Sequence, residues 1–124
     1  MSVRLRGRDL FEDERGMVTV EAAFALAAIA VFLVTGVGAV TGVVTQIRCT
    51  DAAREVARLA AVGDESASDV GRSVAPGGAR ISVSAAADTV TVTVSADLPM
   101  LPMATVSARA VAAVEPNGAD GADS

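Results

Sequence analysis

From Ala22 to Val44 the chain runs 23 residues without a charge, "AAFALAAIAVFLVTGVGAVTGVV". As an α-helix this stretch is roughly 35 Å long, enough to cross a hydrocarbon core of about 30 Å. A helix apolar on every side for about six turns does not suit the core of so small a soluble protein, so it reads as a membrane span. Every other segment has to be arranged around it. Gly36, Gly38 and Gly42 weaken such a helix in water, but in lipid they are tolerated and let neighbouring helices approach closely. Thr35 and Thr41 are expected to bond to their own helix backbone within the membrane.

The entrance to the span is unusual. In "ERGMVTVEAAF" Glu21 stands directly against the apolar run, and Gly16 lies five residues before it. A carboxylate at the edge of a span is costly unless something uses it. Taken singly, Glu21 is an acid favoured at a helix N-terminus by the macrodipole, and Gly16 is a loop residue. Arg4, Arg6, Arg8 and Arg15 precede the span and Arg48, Arg54 and Arg58 follow it. This thin bias, with the weight carried by the first segment, favours a cytoplasmic N-terminus. An ordinary signal peptide cut after "VGA" (Val37 to Ala39) is the competing reading. The run continues past that site to Val44 and its leader is acidic, both of which oppose it. A lipoprotein signal is opposed by Arg48, which occupies the position before Cys49 where a small residue is needed.

Beyond the span the helical pattern continues and becomes one-sided. Ala52, Val56, Leu59, Ala60 and Gly63 recur at spacings of three and four, while Asp51, Arg54, Glu55 and Arg58 fall mostly off that stripe. Asp51 with Arg54 and Glu55 with Arg58 form possible i,i+3 pairs, and Gly63 is a natural stop. One helix is therefore expected over 17–62, half in membrane and half amphipathic. A helix of that length calls for partner helices.

Residues 63–78 read as a loop with a short helical turn capped by Asp64. "ARISVSA" and "DTVTVTVSA" alternate apolar with Ser or Thr, as half-buried strands do, and a tight turn near Ala86 to Asp88 joins them. "LPMLPM" (Leu98 to Met103) reads as a connector that cannot lie inside a sheet, with Met100 and Met103 as packing residues. "ATVSARAVAAVE" is expected as a third strand, a helix being the alternative, and residues 116–124 as a disordered acidic tail. Three short strands over 79–115 cannot stand alone, and the stripe of Ala52, Val56 and Leu59 is the surface available to them. The fold class is thus α+β: a long N-terminal helix with a small antiparallel sheet against its distal half.

Composition removes most chemistry. The chain of 124 residues has no His, one Cys, and a net charge of −5 from scattered acids. No metal cluster, nucleophile–base pair or phosphate loop is available, so neither a catalytic residue nor a cofactor nor a small-molecule substrate is expected. No basic patch with interleaved aromatics points to nucleic acid. Cys49 reads as a small buried hydrophobe, or as half of an intersubunit disulfide in an oxidising exterior.

Together "RGMVTVEAAFALAAIAVFLVTGVGAV", "QIRCTDAAREVARLAAVGD", the short charged leader and the β-rich tail resemble the TadE-like minor pilins of tight-adherence (Flp-type) type IV pili, in their high-GC Gram-positive form. The resemblance is close from Arg15 to about Asp64 and looser beyond. It implies a type IV pilin-like fold and a leader over 1–16 that a prepilin peptidase removes between Gly16 and Met17 on the cytoplasmic side. Glu21 becomes the fifth mature residue and pairs with the new α-ammonium of Met17 on a neighbouring subunit, setting axial register. The implied partners are the membrane, the peptidase, other pilin subunits and the assembly platform. Ala22 stands where major Flp-type pilins carry Tyr, and the chain is longer than theirs, which points to a minor subunit. The alternative function is a single-pass anchored adaptor or secreted protein with an extracytoplasmic β module, not processed at Gly16.

Overall fold

The computed structural model describes residues 6–114 and Pro116, with side chains from Phe11 onward. It has helix α1 (Arg6–Ala61), helix α2 (Ala67–Val74) and strands β1 (Arg80–Ala85), β2 (Thr89–Leu98) and β3 (Leu101–Ala113). The protein is α+β, with one long N-terminal helix and a small antiparallel sheet of three strands in the order β1-β2-β3. It divides into two compact units at Gly38. The expected acidic tail lies outside the described residues apart from Pro116, as do the first five residues of the expected leader.

The first unit is bare helix. The helix begins by Arg6 and not near Met17, so Gly16 and Met17 lie within it. The reason is cooperativity: a long helix already nucleated needs only propagation, and Gly16 alone costs about 1 kcal/mol relative to Ala. Every residue from Phe11 to Val37 is exposed in the isolated chain, including Phe24, Phe32 and Leu33. Thr35 donates to the Val31 carbonyl at 2.8 Å, so this hydroxyl is satisfied by its own helix.

The second unit holds the core. Cys49, Ala52, Ala53, Val56 and Ala57 of α1 form one cluster with Val90, Val92, Val94 and Ala96 of β2 and Ala108 of β3. Register explains the division of the sheet into two faces. Val92 pairs with Val83 on one side and Ala110 on the other, and Val94 with Ile81 and Ala108, so the apolar residues share the face turned to the helix. Thr91, Thr93 and Ser95 alternate with them and belong to the opposite face. The contact is built from small side chains, mainly alanines on the helix and valines on β2.

The end of α1 is built from its own backbone. Gly63 has φ +77°, its N–H donates to Ala60 O at 3.1 Å, and Asp64 N–H donates to Leu59 O at 3.0 Å. These are the paired bonds of a Schellman stop, which requires the left-handed conformation that glycine adopts freely. Asp64 then accepts from the Ser66 N–H at 2.8 Å and the Ser66 hydroxyl at 2.7 Å, and these bonds hold its carboxyl below the usual range. Of the two i,i+3 ion pairs expected on α1, only Glu55 with Arg58 forms among the described residues, at 2.7 Å. Both partners are solvated, so the pair contributes little.

Residues 101–113 form the expected third strand, pairing along β2 from Thr89↔Ala113 to Asp97↔Thr105 in spite of the helix preference of their alanines. Two expectations for the distal part are corrected. The "LPMLPM" connector is only the turn at Pro99 and Met100, and Pro102 lies inside β3. A proline is accommodated there because β3 is an edge strand. The register also shifts between Asp97 and Leu98, leaving Pro102, Met103 and Ala104 without partners on β2. Finally, Met100 and Met103 fill no gap: both are exposed.

Candidate processing and assembly site

Helical geometry brings the predicted processing and assembly residues together. Asp13, Gly16, Met17, Val20 and Glu21, spaced by three and four, line one shallow hollow on α1. The hollow exists partly because Gly16 has no side chain, and a Cβ there would meet nothing within 4 Å. Glu21 is exposed, and among the described residues no cation pairs with it. Gly16 precedes Met17 directly, and Glu21 follows Met17 by one helical turn, about 6 Å along the axis. Among the described residues no three potential metal ligands converge.

The predicted packing residues divide into two sets. Gly36 and Gly38 face open space, since a Cβ on either would touch nothing within 4 Å. Gly42 instead faces its own chain, where Leu98 Cδ2 lies 3.9 Å from the position of an added Cβ. Ala52 and Val56 are fully buried under the sheet and Leu59 is half-buried beside them.

Two features had no sequence signal. Gln46 Nε2 donates to the Ser107 carbonyl at 3.2 Å, fastening α1 to β3. Gly71, inside α2, sits so close to Val56 that a methyl group would overlap its Cγ2, and that methyl would also lie 3.1 Å from Ile81 Cδ1. Glycine in a short amphipathic helix ordinarily marks weakness, so only the three-dimensional contact reveals its purpose.

Cys49 is 0% exposed in the core cluster, and burial raises its thiol pKa. This geometry opposes the intersubunit disulfide. The thiol is expected to resist a maleimide in the folded chain and to react fully once the chain is denatured. Labelling of native protein at the rate of a free thiol would show that this core opens.

Over 97 residues, 77% of its length, the chain is 47% identical to the Mycobacterium tuberculosis protein named apoptosis inhibitor Rv3655c, and the match covers 78% of that relative. The chain belongs to the Rv3655c family. No family model matches it, and no solved structure matches it. For this member of the Rv3655c family, α1 contains a segment long and apolar enough to cross a membrane.

Proposed function

We propose that the chain is a TadE-like minor pilin of a tight-adherence type IV pilus or secretion system, with a type IV pilin-like fold. It is inserted once in the cytoplasmic membrane, N-terminus inside and C-terminus outside, and is cut after Gly16 by a prepilin peptidase. The cut chain passes to the assembly platform and packs among other pilin subunits, some of it reaching the cell surface. It works by helix packing and has no catalytic role of its own. The observation that carries this reading is the single helical face shared by Gly16, Met17 and Glu21 at the mouth of an uncharged run.

Physical chemistry explains each residue of that face. A peptidase must draw the chain out of the helix to cut it, and glycine lowers the cost of unwinding by about 1 kcal/mol while removing the Cβ from its approach. The cut creates an α-ammonium at Met17, with an ordinary pKa of about 8. In a bundle that ammonium and the Glu21 carboxylate both leave water, and each offsets the other's desolvation. Gly36 and Gly38, open on the isolated chain, are the positions at which neighbouring helices come closest.

The name of the Mycobacterium relative favours a second reading, an anchored adaptor or secreted effector that is not processed at Gly16. Mass spectrometry of the N-terminus from the native membrane separates the two. The pilin reading expects a chain starting at Met17, with Gly16→Ala accumulating in the membrane uncut. An intact leader, or a start at Val40, overturns it.

A further inference from the structure

The tip of the β2–β3 hairpin is the most exposed apolar feature of the second unit. Met103 is 98% exposed, Leu101 59% and Met100 54%. No residue from Leu98 to Ala108 is charged. Apolar side chains held out in this way are unfavourable in water.

Three contacts show which way the tip lies along α1. Ala110 to Ala113, at the far end of β3, share a shallow groove with Arg54, Arg58 and Val62. Ser107 is bonded to Gln46, and Leu98 rests against Gly42. Moving back along β3 therefore means moving back along α1 towards its uncharged run. Gly42 lies inside that run, about 3 Å before its end at Val44. Leu98, at the base of the tip, is therefore level with the last turn of the uncharged run.

We propose that the Leu98–Met103 tip is embedded in the lipid bilayer beside α1, forming a second membrane contact. Met100, Leu101 and Met103 lie among the acyl chains. This rests on the membrane-span part of the function proposed above. The chemistry of the tip suits lipid. Pro99 and Pro102 have no N–H, so two donors that acyl chains cannot satisfy are missing, and the backbone of Met103 and Ala104, which has no partner on β2, meets the headgroups. Methionine is flexible and adapts to a fluid surrounding. The charge adjoining the tip is neutralised in place: Asp97 accepts from Arg80 at 3.2 Å and from the Thr105 hydroxyl at 2.8 Å, a polar collar at headgroup level.

The chain contains neither Trp nor Tyr, so one introduced Trp reports alone. The full chain carrying Met103→Trp, Phe32→Trp or Ser84→Trp is reconstituted in phosphatidylcholine–phosphatidylglycerol vesicles, with and without brominated acyl chains. Emission from Met103→Trp is expected to shift to the blue, with brominated lipid quenching it several-fold more than Ser84→Trp and about as far as Phe32→Trp. If Met103→Trp instead matches Ser84→Trp and is open to acrylamide while Phe32→Trp is quenched by lipid, the span stands and the tip proposal is overturned. A blue shift without lipid quenching means that a second copy covers the tip, which also overturns it. Failure of lipid to quench Phe32→Trp removes the span reading and the proposal together.

Discussion

Glu21→Ala is expected to be cut normally after Gly16 and then to fail in assembly. In the proposed pilin reading the substitution lies one turn beyond the scissile bond, so a peptidase would still meet Gly16 and Met17. On that reading, the Met17 ammonium would be left without its counter-charge within an assembled bundle. An uncompensated buried charge costs about 3–5 kcal/mol. At about 1.4 kcal/mol per tenfold, incorporation should fall by about a hundredfold or more. Glu21→Gln keeps a hydrogen-bond acceptor without the charge and should fall between the two. The measurement is the ratio of mature chain in sheared surface material to mature chain in the membrane. Wild-type incorporation of Glu21→Ala would remove the role given to this carboxylate, whatever the N-terminus proves to be. The helix also puts Glu21 one turn from Met17 of its own chain, where the proposed cut would leave an amine, so the two pairings need separating. Co-expressing Glu21→Ala with wild type tests whether a neighbour's carboxylate can serve.

Gly71→Ala is expected to destabilise the second unit, since among the described glycines it is the one whose added Cβ overlaps a neighbour. The new Cβ would overlap Val56 Cγ2 and crowd Ile81 Cδ1. Val56 cannot easily turn away, because a β-branched side chain in a helix has one strongly preferred rotamer and this one is 0% exposed within the core. Overpacking of this kind typically costs about 1–3 kcal/mol, a large share of the stability of so small a module. Helix propensity works the other way, favouring Ala by about 1 kcal/mol, and the clash must exceed it. Thermal unfolding followed by circular dichroism of the full chain in detergent measures the result. The double variant Gly71→Ala with Val56→Ala should lose less than the sum of the two single variants, since the second change removes the group the first one strikes. Simple additivity would mean that α2 moves aside instead.

Much of the fold was legible because its parts have strong periods. The uncharged run, the three-and-four stripe at Ala52, Val56 and Leu59, and the Val–Thr alternation of 89–94 each report a local repeat. Gly63 likewise announced the end of α1 through backbone conformation alone. The errors fell where local preference meets a neighbour. Pro102 entered a strand because β3 is an edge strand and its register with β2 is irregular there. Met100 and Met103 were expected to fill gaps, since nothing in the sequence says on which side of a hairpin the core lies. The face of Gly16, Met17 and Glu21 was implicit in helical spacing, yet the helix was expected to begin only after it. Cooperativity carries the helix back through the glycine.

What the sequence determines by itself is thus the set of elements and the uncharged run, because charge, hydrophobicity and period act over a few residues of chain. The tertiary structure alone decides which residues are brought together across long separations. It sets Gly71 against Val56, Gln46 on Ser107, Cys49 beneath the sheet and Leu98 beside Gly42. Those contacts depend on close packing between surfaces, where the fit of one methyl group matters, and no local pattern encodes that fit.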